Sequence, residues 1–203
     1  MFSGQIKFDK ASRNESIGYA SLVCCITKHL SLRPLGLEDA NELFTLTDAN
    51  RAYLRQWLPW LDSNLRQEDT CAFIEQKFEK AQLAQEFVSA ICYDQVIIGL
   101  IGLHNISWNN RSCSIGYWLS AAYWGKGIMT LACHSMIDYS FTTLDLNRID
   151  ICCAVDNSRS EAVAKRLGLT YEGTLRDAEW LYDHFVDLKV YSMLRHEWYA
   201  YLS

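Results

Sequence analysis

The chain has 203 residues, half of them hydrophobic, with 2 prolines, 10 glycines and a net charge of −5. That length supplies one ordinary domain with a real core, and the low Pro and Gly content excludes a disordered or fibrous chain. The negative charge excludes a broad electrostatic grip on nucleic acid, and no apolar run approaches the roughly 18 residues that a membrane span needs.

Residues 1–18 are polar. Residues 17–26 are apolar and follow Lys7, Lys10 and Arg13, but Asp9 and Glu15 interrupt the basic region and no Ala-x-Ala site follows. The segment therefore reads as a strand rather than a signal peptide. Leu30 to Leu35 alternates apolar and polar and ends at Pro34, a half-buried strand. Glu38 to Asn50 reads as a helix with Ala40, Leu43, Phe44 and Leu46 on one face. The aromatic stretch Leu54–Leu61 follows, then a second helix from Thr70 to Ala84. Phe87–Tyr93 and Val96–Leu103 flank Asp94-Gln95 and predict a hairpin. Ser112–Leu119 is a strand after the turn at Asn109-Asn110-Arg111. Gly125 to Thr143 reads as a long helix whose wide apolar face suggests burial against a sheet. Ile149–Val155 suits a central strand. Ser158-x-x-Glu161 reads as a capping box opening a helix that ends at Gly168. Leu169–Glu172 and Val186–Leu194 are the last strands, joined by a loop carrying Trp180, Tyr182 and His184. The order predicts a mixed α+β sheet with one parallel crossover through the 125–143 helix.

The 8 cysteines contain no Cys-x-x-Cys pair. Cys24-Cys25 and Cys152-Cys153 are vicinal, and neighbours on a strand face opposite ways, which makes them poor joint ligands. Most lie in apolar runs, so core thiols are expected, with no metal, in a reducing cytoplasm.

One stretch points to chemistry. Tyr117 to Thr130 runs from a strand end through a short loop into Gly125-Lys126-Gly127 and a helix. Glycines permit close backbone approach, and unpaired N–H groups at the positive end of a helix dipole favour an anion, best a pyrophosphate. A plain turn with helix-entry glycines is the alternative. The P-loop pattern is absent, and the third glycine of a dinucleotide fingerprint would fall at Thr130.

Four stretches together carry a family resemblance: Leu54–Leu61 with Trp57 and Trp60; Ile115–Leu119 followed by Tyr123–Ile128; Asp156–Ser160 followed by Arg166–Leu169; and Glu172–Glu179. From about Leu30 to Leu194 the chain resembles the GNAT superfamily of acetyl-coenzyme A-dependent N-acetyltransferases, and within it the RimJ/RimL branch of ribosomal-protein-serine acetyltransferases. The resemblance implies a GNAT-like, mostly antiparallel twisted sheet of about seven strands flanked by helices. That sheet would be splayed between the fourth and fifth core strands to hold coenzyme A. It implies a single acetyltransferase domain over 29–203; the N-terminal extension over 1–28, with its expected strand, is not accounted for by the resemblance. Two positions depart from the superfamily pattern. Ala122 stands where the loop usually begins with Gln or Arg, and Ala164 stands where many members carry a tyrosine general acid, whose role must pass to another group or to water.

The resemblance also implies roles. Glu179, nineteen residues after Ser160, is the expected general base. An α-amine has a pKa of about 7.7–8.0, so a carboxylate suffices, directly or through water. Ser160 would hydrogen-bond the leaving sulfur, and Asn157 would hold the pantetheine arm or an ordered water, a role compatible with its also capping a helix. Backbone groups of Trp118 and Leu119 would face the thioester arm, and the N–H groups of Gly125, Lys126, Gly127, Ile128 and Met129 would hold the pyrophosphate. Trp57 and Trp60 would line the acceptor pocket or pack in the core. His104 and His184 are left outside the catalytic set. Acetyl-coenzyme A is the expected co-substrate and a protein N-terminus the expected acceptor. A small amine is an alternative acceptor, and a non-catalytic coenzyme A-binding module is an alternative of another class. Similar proteins often form homodimers.

Overall fold

The structure, a computed structural model, describes residues 23–202. Residues 1–22, and with them most of the segment expected as an N-terminal strand, lie outside the described residues. Its described end forms β1 (Cys24–Cys25), followed by β2 (Leu30–Pro34), α1 (Ala40–Ala49) and the short α2 (Arg51–Leu54). Next come α3 (Gln67–Gln82), β3 (Phe87–Tyr93), β4 (Val96–Ser107), β5 (Ser112–Leu119) and α4 (Ile128–Thr142). The chain closes with β6 (Arg148–Ala154), α5 (Ser158–Arg166), β7 (Thr170–Leu181), β8 (His184–Leu194) and α6 (Arg195–Leu202).

The strands form one eight-stranded sheet in the order β1-β2-β3-β4-β5-β6-β8-β7. The mostly antiparallel sheet of about seven strands is as expected, with β1 as an eighth. Two apolar cores explain why β3 is buried along nearly its whole length. Phe87 and Ile91 join α4 in one core, while Val88, Ala90 and Cys92 join α1 and α3 in the other. The alternation of a strand divides its side chains between these two layers. The hairpin at Asp94-Gln95 has φ of 48° and 70°, as a two-residue turn matched to sheet twist requires.

Among the described residues one pair of neighbouring strands is parallel. β5 and β6 are joined through Ser112–Arg148, Cys113–Ile149 and Ser114–Asp150, and nowhere beyond. Past Ser114 and Asp150 the two strands diverge, which gives the expected splay. α4 forms the crossover and is buried on most sides, between the sheet and Trp198 of α6, whose indole N–H donates to Asp138 Oδ1 at 3.2 Å. α6 carries only Trp198 as a fully buried residue, too weak an apolar pattern to mark it in the sequence.

Three expectations need correction. α4 starts at Ile128, not Gly125, because Gly125 and Gly127 have φ of 74° and 73°, outside the right-handed helical region. α5 is capped by Asn157, whose Oδ1 accepts from the Ser160 N–H at 3.1 Å, rather than by a Ser158–Glu161 box. Glu161 turns instead to Lys189 (3.1 Å), Tyr191 (2.7 Å) and Lys165 (2.8 Å). Finally, β7 continues to Leu181, so Glu179 and Trp180 stand on a strand and not in a loop. The register breaks between Leu175 and Glu179, with Asp177 at φ 48° and its N–H donating to Asp187 Oδ1 at 2.9 Å, then resumes with Glu179 opposite Val186.

Candidate active site

The divergence of β5 and β6 opens a cavity of about 740 Å³. Its walls are β5 from Ile115 to Leu119, β6 from Ile151 to Ala154, the first turns of α4 and α5, and Tyr53–Leu58 beside α2. Glu179 reaches it from β7. The structure therefore brings Glu179, Ser160, Asn157, Trp118, Leu119, Gly125, Gly127, Ile128, Met129 and Trp57 to one cavity. Trp60 is not among its walls. It borders a smaller hollow with Leu43, Thr70, Phe73 and the far side of Trp118. Lys126 also stands outside the cavity wall, its Nζ 4.8 Å from the centre of the Tyr123 ring.

The loop before α4 is built for a close ligand. A Cβ at Gly125 or Gly127 would meet nothing within 4 Å. Space beside the glycines is open, while their positive φ turns the backbone into the helix N-terminus. That combination fits a pyrophosphate held by main-chain N–H groups. The arm of the same co-substrate fits between the strands, where β5 offers an unpaired edge.

The two expected strand-end residues behave differently. Ser120 N–H donates to Ile98 O at 2.8 Å, toward β4. Strand alternation sends the backbone groups of Trp118 the same way, opposite Leu100, so they do not face the arm. The groups of Leu119 face the cavity side. Its carbonyl is already taken by the Tyr53 hydroxyl and by the Trp124 indole N–H at 3.1 Å, which leaves the Leu119 N–H as the edge donor. Trp124 is held between Tyr53, edge-on at 4.7 Å, and the Arg159 guanidinium at 4.0 Å. Tyr53 and Arg159 were assigned no role in the sequence, since nothing local marks them, and Trp124 was marked only as part of the Tyr123–Ile128 stretch. Only the return of α2 and α5 to the loop assembles them.

Burial shifts several titratable groups in the cavity, Glu179, Tyr117 and Cys153 among them. Glu179 is half-buried, and its carboxyl is pushed above the usual glutamate range by loss of water alone. No described residue hydrogen-bonds or ion-pairs with it. Tyr117, which opens the stretch marked in the sequence but was assigned no role there, is pushed well above the ordinary phenol value. Its hydroxyl lies 3.0 Å from Ser160 Oγ and 3.2 Å from the Ser160 carbonyl oxygen. The Cys153 thiol, next to Ser160, is likewise raised by burial. Ala164 lies fully buried on the inner face of α5, so the position where the resemblance implied a tyrosine supplies no proton here. Among the described residues no cluster of His, Cys, Asp and Glu could hold a metal, and all eight cysteines are free thiols.

The acetyltransferase (GNAT) domain family matches residues 29–170. The putative ribosomal N-acetyltransferase YdaF of Bacillus subtilis (strain 168) is 35% identical over 176 residues, covering 86% of this chain and 96% of that protein. The ribosomal-protein-serine acetyltransferase of Escherichia coli (strain K12) is 30% identical, covering 83% and 94%. Among solved structures, RimL, a ribosomal L7/L12 alpha-N-protein acetyltransferase in complex with coenzyme A, superposes with a TM-score of 0.82 at 28% identity, covering 85% and 97%. The open glycine loop, the splayed strands and these matches agree: the chain belongs to the GNAT acetyltransferase family and is an acetyl-coenzyme A-dependent N-acetyltransferase.

Proposed function

We propose that this enzyme acetylates the α-amine of a protein N-terminus, such as that of a ribosomal protein beginning with serine. The observation that carries the reading is Glu179: a half-buried carboxylate, without a cation, on the wall of the cavity. A carboxylate of that kind attracts an ammonium group and accepts its proton. An α-amine, about 7.7–8.0 in pKa, gives up that proton near neutral pH far more readily than a lysine-like amine at about 10.4. The names of the Escherichia coli relative and of RimL support the same acceptor.

The placement of these residues supports the following roles. Glu179 takes the proton lost as the amine nitrogen bonds to the acetyl carbon. Ser160 donates a hydrogen bond to the sulfur that departs with the C–S electron pair and keeps its own proton. Glu179 returns the proton to that sulfur through solvent, so the exchange balances. Asn157 spends its side-chain oxygen on the α5 cap and keeps its amide hydrogens for the pantetheine arm. The N–H groups at Gly125–Met129 hold the pyrophosphate, and Trp57 faces the acceptor. Eight free thiols suit a reducing cytoplasm.

A panel of acceptors tests this, read by thiol release and mass spectrometry. Peptides with a free N-terminal serine should be acetylated at the α-amine, and N-blocked peptides should be inert. Glu179→Gln should lower kcat/KM by about 10²–10⁴-fold while leaving coenzyme A affinity within about twofold. Turnover confined to polyamines or other small amines would overturn the protein-terminus reading. Unchanged turnover in Glu179→Gln would overturn the base assignment.

A further inference from the structure

We infer that Tyr117 is a positioning residue for the leaving sulfur: its hydroxyl switches between the carbonyl oxygen and the side-chain oxygen of Ser160 and thereby frees the serine hydroxyl hydrogen for the sulfur. The inference rests on the assignment of Ser160 just given.

Tyr117 has one O–H and faces two oxygens of the same residue, Ser160 O at 3.2 Å and Ser160 Oγ at 3.0 Å. The carbonyl can only accept. When Tyr117 donates to it, the serine hydroxyl is left to donate to the tyrosine oxygen, and its hydrogen points away from the cavity. When Tyr117 donates to Oγ instead, the serine hydrogen is released and can aim at the sulfur. The second arrangement holds one protein hydrogen bond fewer than the first, and the bond from the serine hydroxyl to the sulfur offsets that loss as negative charge grows there. Tyr117 is a donor and not an acid in this scheme, because burial keeps its hydroxyl neutral and no net proton leaves it. Strand alternation fixes the placement: Tyr117 shares its face of β5 with Ile115 and Leu119, toward α4 and α5, while Trp118 points to the opposite core. Cys153, the other group beside Ser160, is a weak hydrogen-bond partner and cannot substitute. The position that gives relatives their tyrosine is Ala164 here, so a phenol from the strand supports the serine where a phenol from the helix is missing.

A double-mutant cycle on the full chain tests it, with kcat and the KM for acetyl-coenzyme A measured for Tyr117→Phe, Ser160→Ala and the pair. Tyr117→Phe keeps the ring and should keep the Tm. Its kcat should fall roughly 3–10-fold, the scale of one hydrogen bond, with KM within about twofold. The double variant should be no slower than Ser160→Ala, because the tyrosine acts only through the serine. Multiplicative losses in the double variant would overturn the inference and mark Tyr117 as a packing residue. Normal turnover in Tyr117→Phe alongside a slow Ser160→Ala would also overturn it while leaving the Ser160 assignment standing. A normal rate in Ser160→Ala would remove the assignment itself and the inference with it.

Discussion

Glu179 combines two demands that conflict. A carboxylate without a partner is a good base and a poor structural element, because its charge is partly stripped of water. Its folded-state pKa is raised, so ionisation penalises the folded protein. The penalty is fully present above the folded-state pKa and disappears as pH falls below the ordinary glutamate range. Activity runs the other way, since the base form is lost as pH falls through the same raised value. The acid limb of the kcat/KM profile should therefore lie above the ordinary glutamate pKa. Glu179→Gln should lose that limb and melt higher than wild type at pH 7, while at pH 4 the difference shrinks. An unchanged Tm across that range, by calorimetry, would contradict the burial argument. The residue itself was reachable from the sequence, because the spacing to Ser160 and the resemblance marked it. Its strand setting was not. Arg176, Asp177 and Ala178 break the alternation that would have revealed β7, and the ladder resumes only through pairing with β8.

At the scale of elements, the segment after α2 owes its shape to the far end of the sheet. The Tyr182 hydroxyl, in the β7–β8 turn, donates to Leu58 O at 2.6 Å and accepts from the Leu61 N–H at 3.3 Å. Arg55 lies 3.9 Å over the same ring and pairs with Asp62 through two 2.8 Å bonds. Arg51 closes the other side, donating to Leu61 O at 2.6 Å and Asn64 O at 2.7 Å. Trp57 and Leu58 are thus presented to the cavity by a loop fastened at both ends. Tyr182→Phe should raise the KM for the acceptor peptide about 3–10-fold, with the KM for acetyl-coenzyme A unchanged; equal shifts in both constants would mean that the tether acts on the whole site. Helices α1 and α3, the 94–95 hairpin and β5 were legible because each repeats its apolar pattern over several residues. The tether was not, since Tyr182 and Leu58 are 124 positions apart and no local pattern links them. The same distance argument covers Tyr117 and Ser160, which sequence reading placed on separate elements without a reason to join them.

The whole molecule is a sheet with an unfinished seam. β1 to β5 form one continuous antiparallel set, β6 to β8 another, and three residue pairs at the base of β5 and β6 join them. The crossover by α4 and the shared core keep the halves together below the seam. Above it, the open edge of β5 must find its hydrogen bonds elsewhere. A ligand that enters the gap and pairs with that edge binds the folded state alone, and at 100 times its Kd contributes about 2.7 kcal/mol to stability. Coenzyme A should accordingly raise the Tm of the enzyme in a concentration-dependent way, measurable by scanning fluorimetry; a Tm indifferent to saturating coenzyme A would show that the seam is already closed by the protein.

The seam also has a kinetic side. Amide hydrogens of Tyr117 and Leu119 sit on an edge without a strand partner, so they should exchange with deuterium quickly in the free enzyme and slowly once the gap is filled, while those of β3 stay protected throughout. Local opening of this kind exposes chain to proteases in proportion to its population. The lifetime of the enzyme in a cell would then rise and fall with the supply of its own acetyl donor, a form of abundance control that needs no regulator beyond the missing strand.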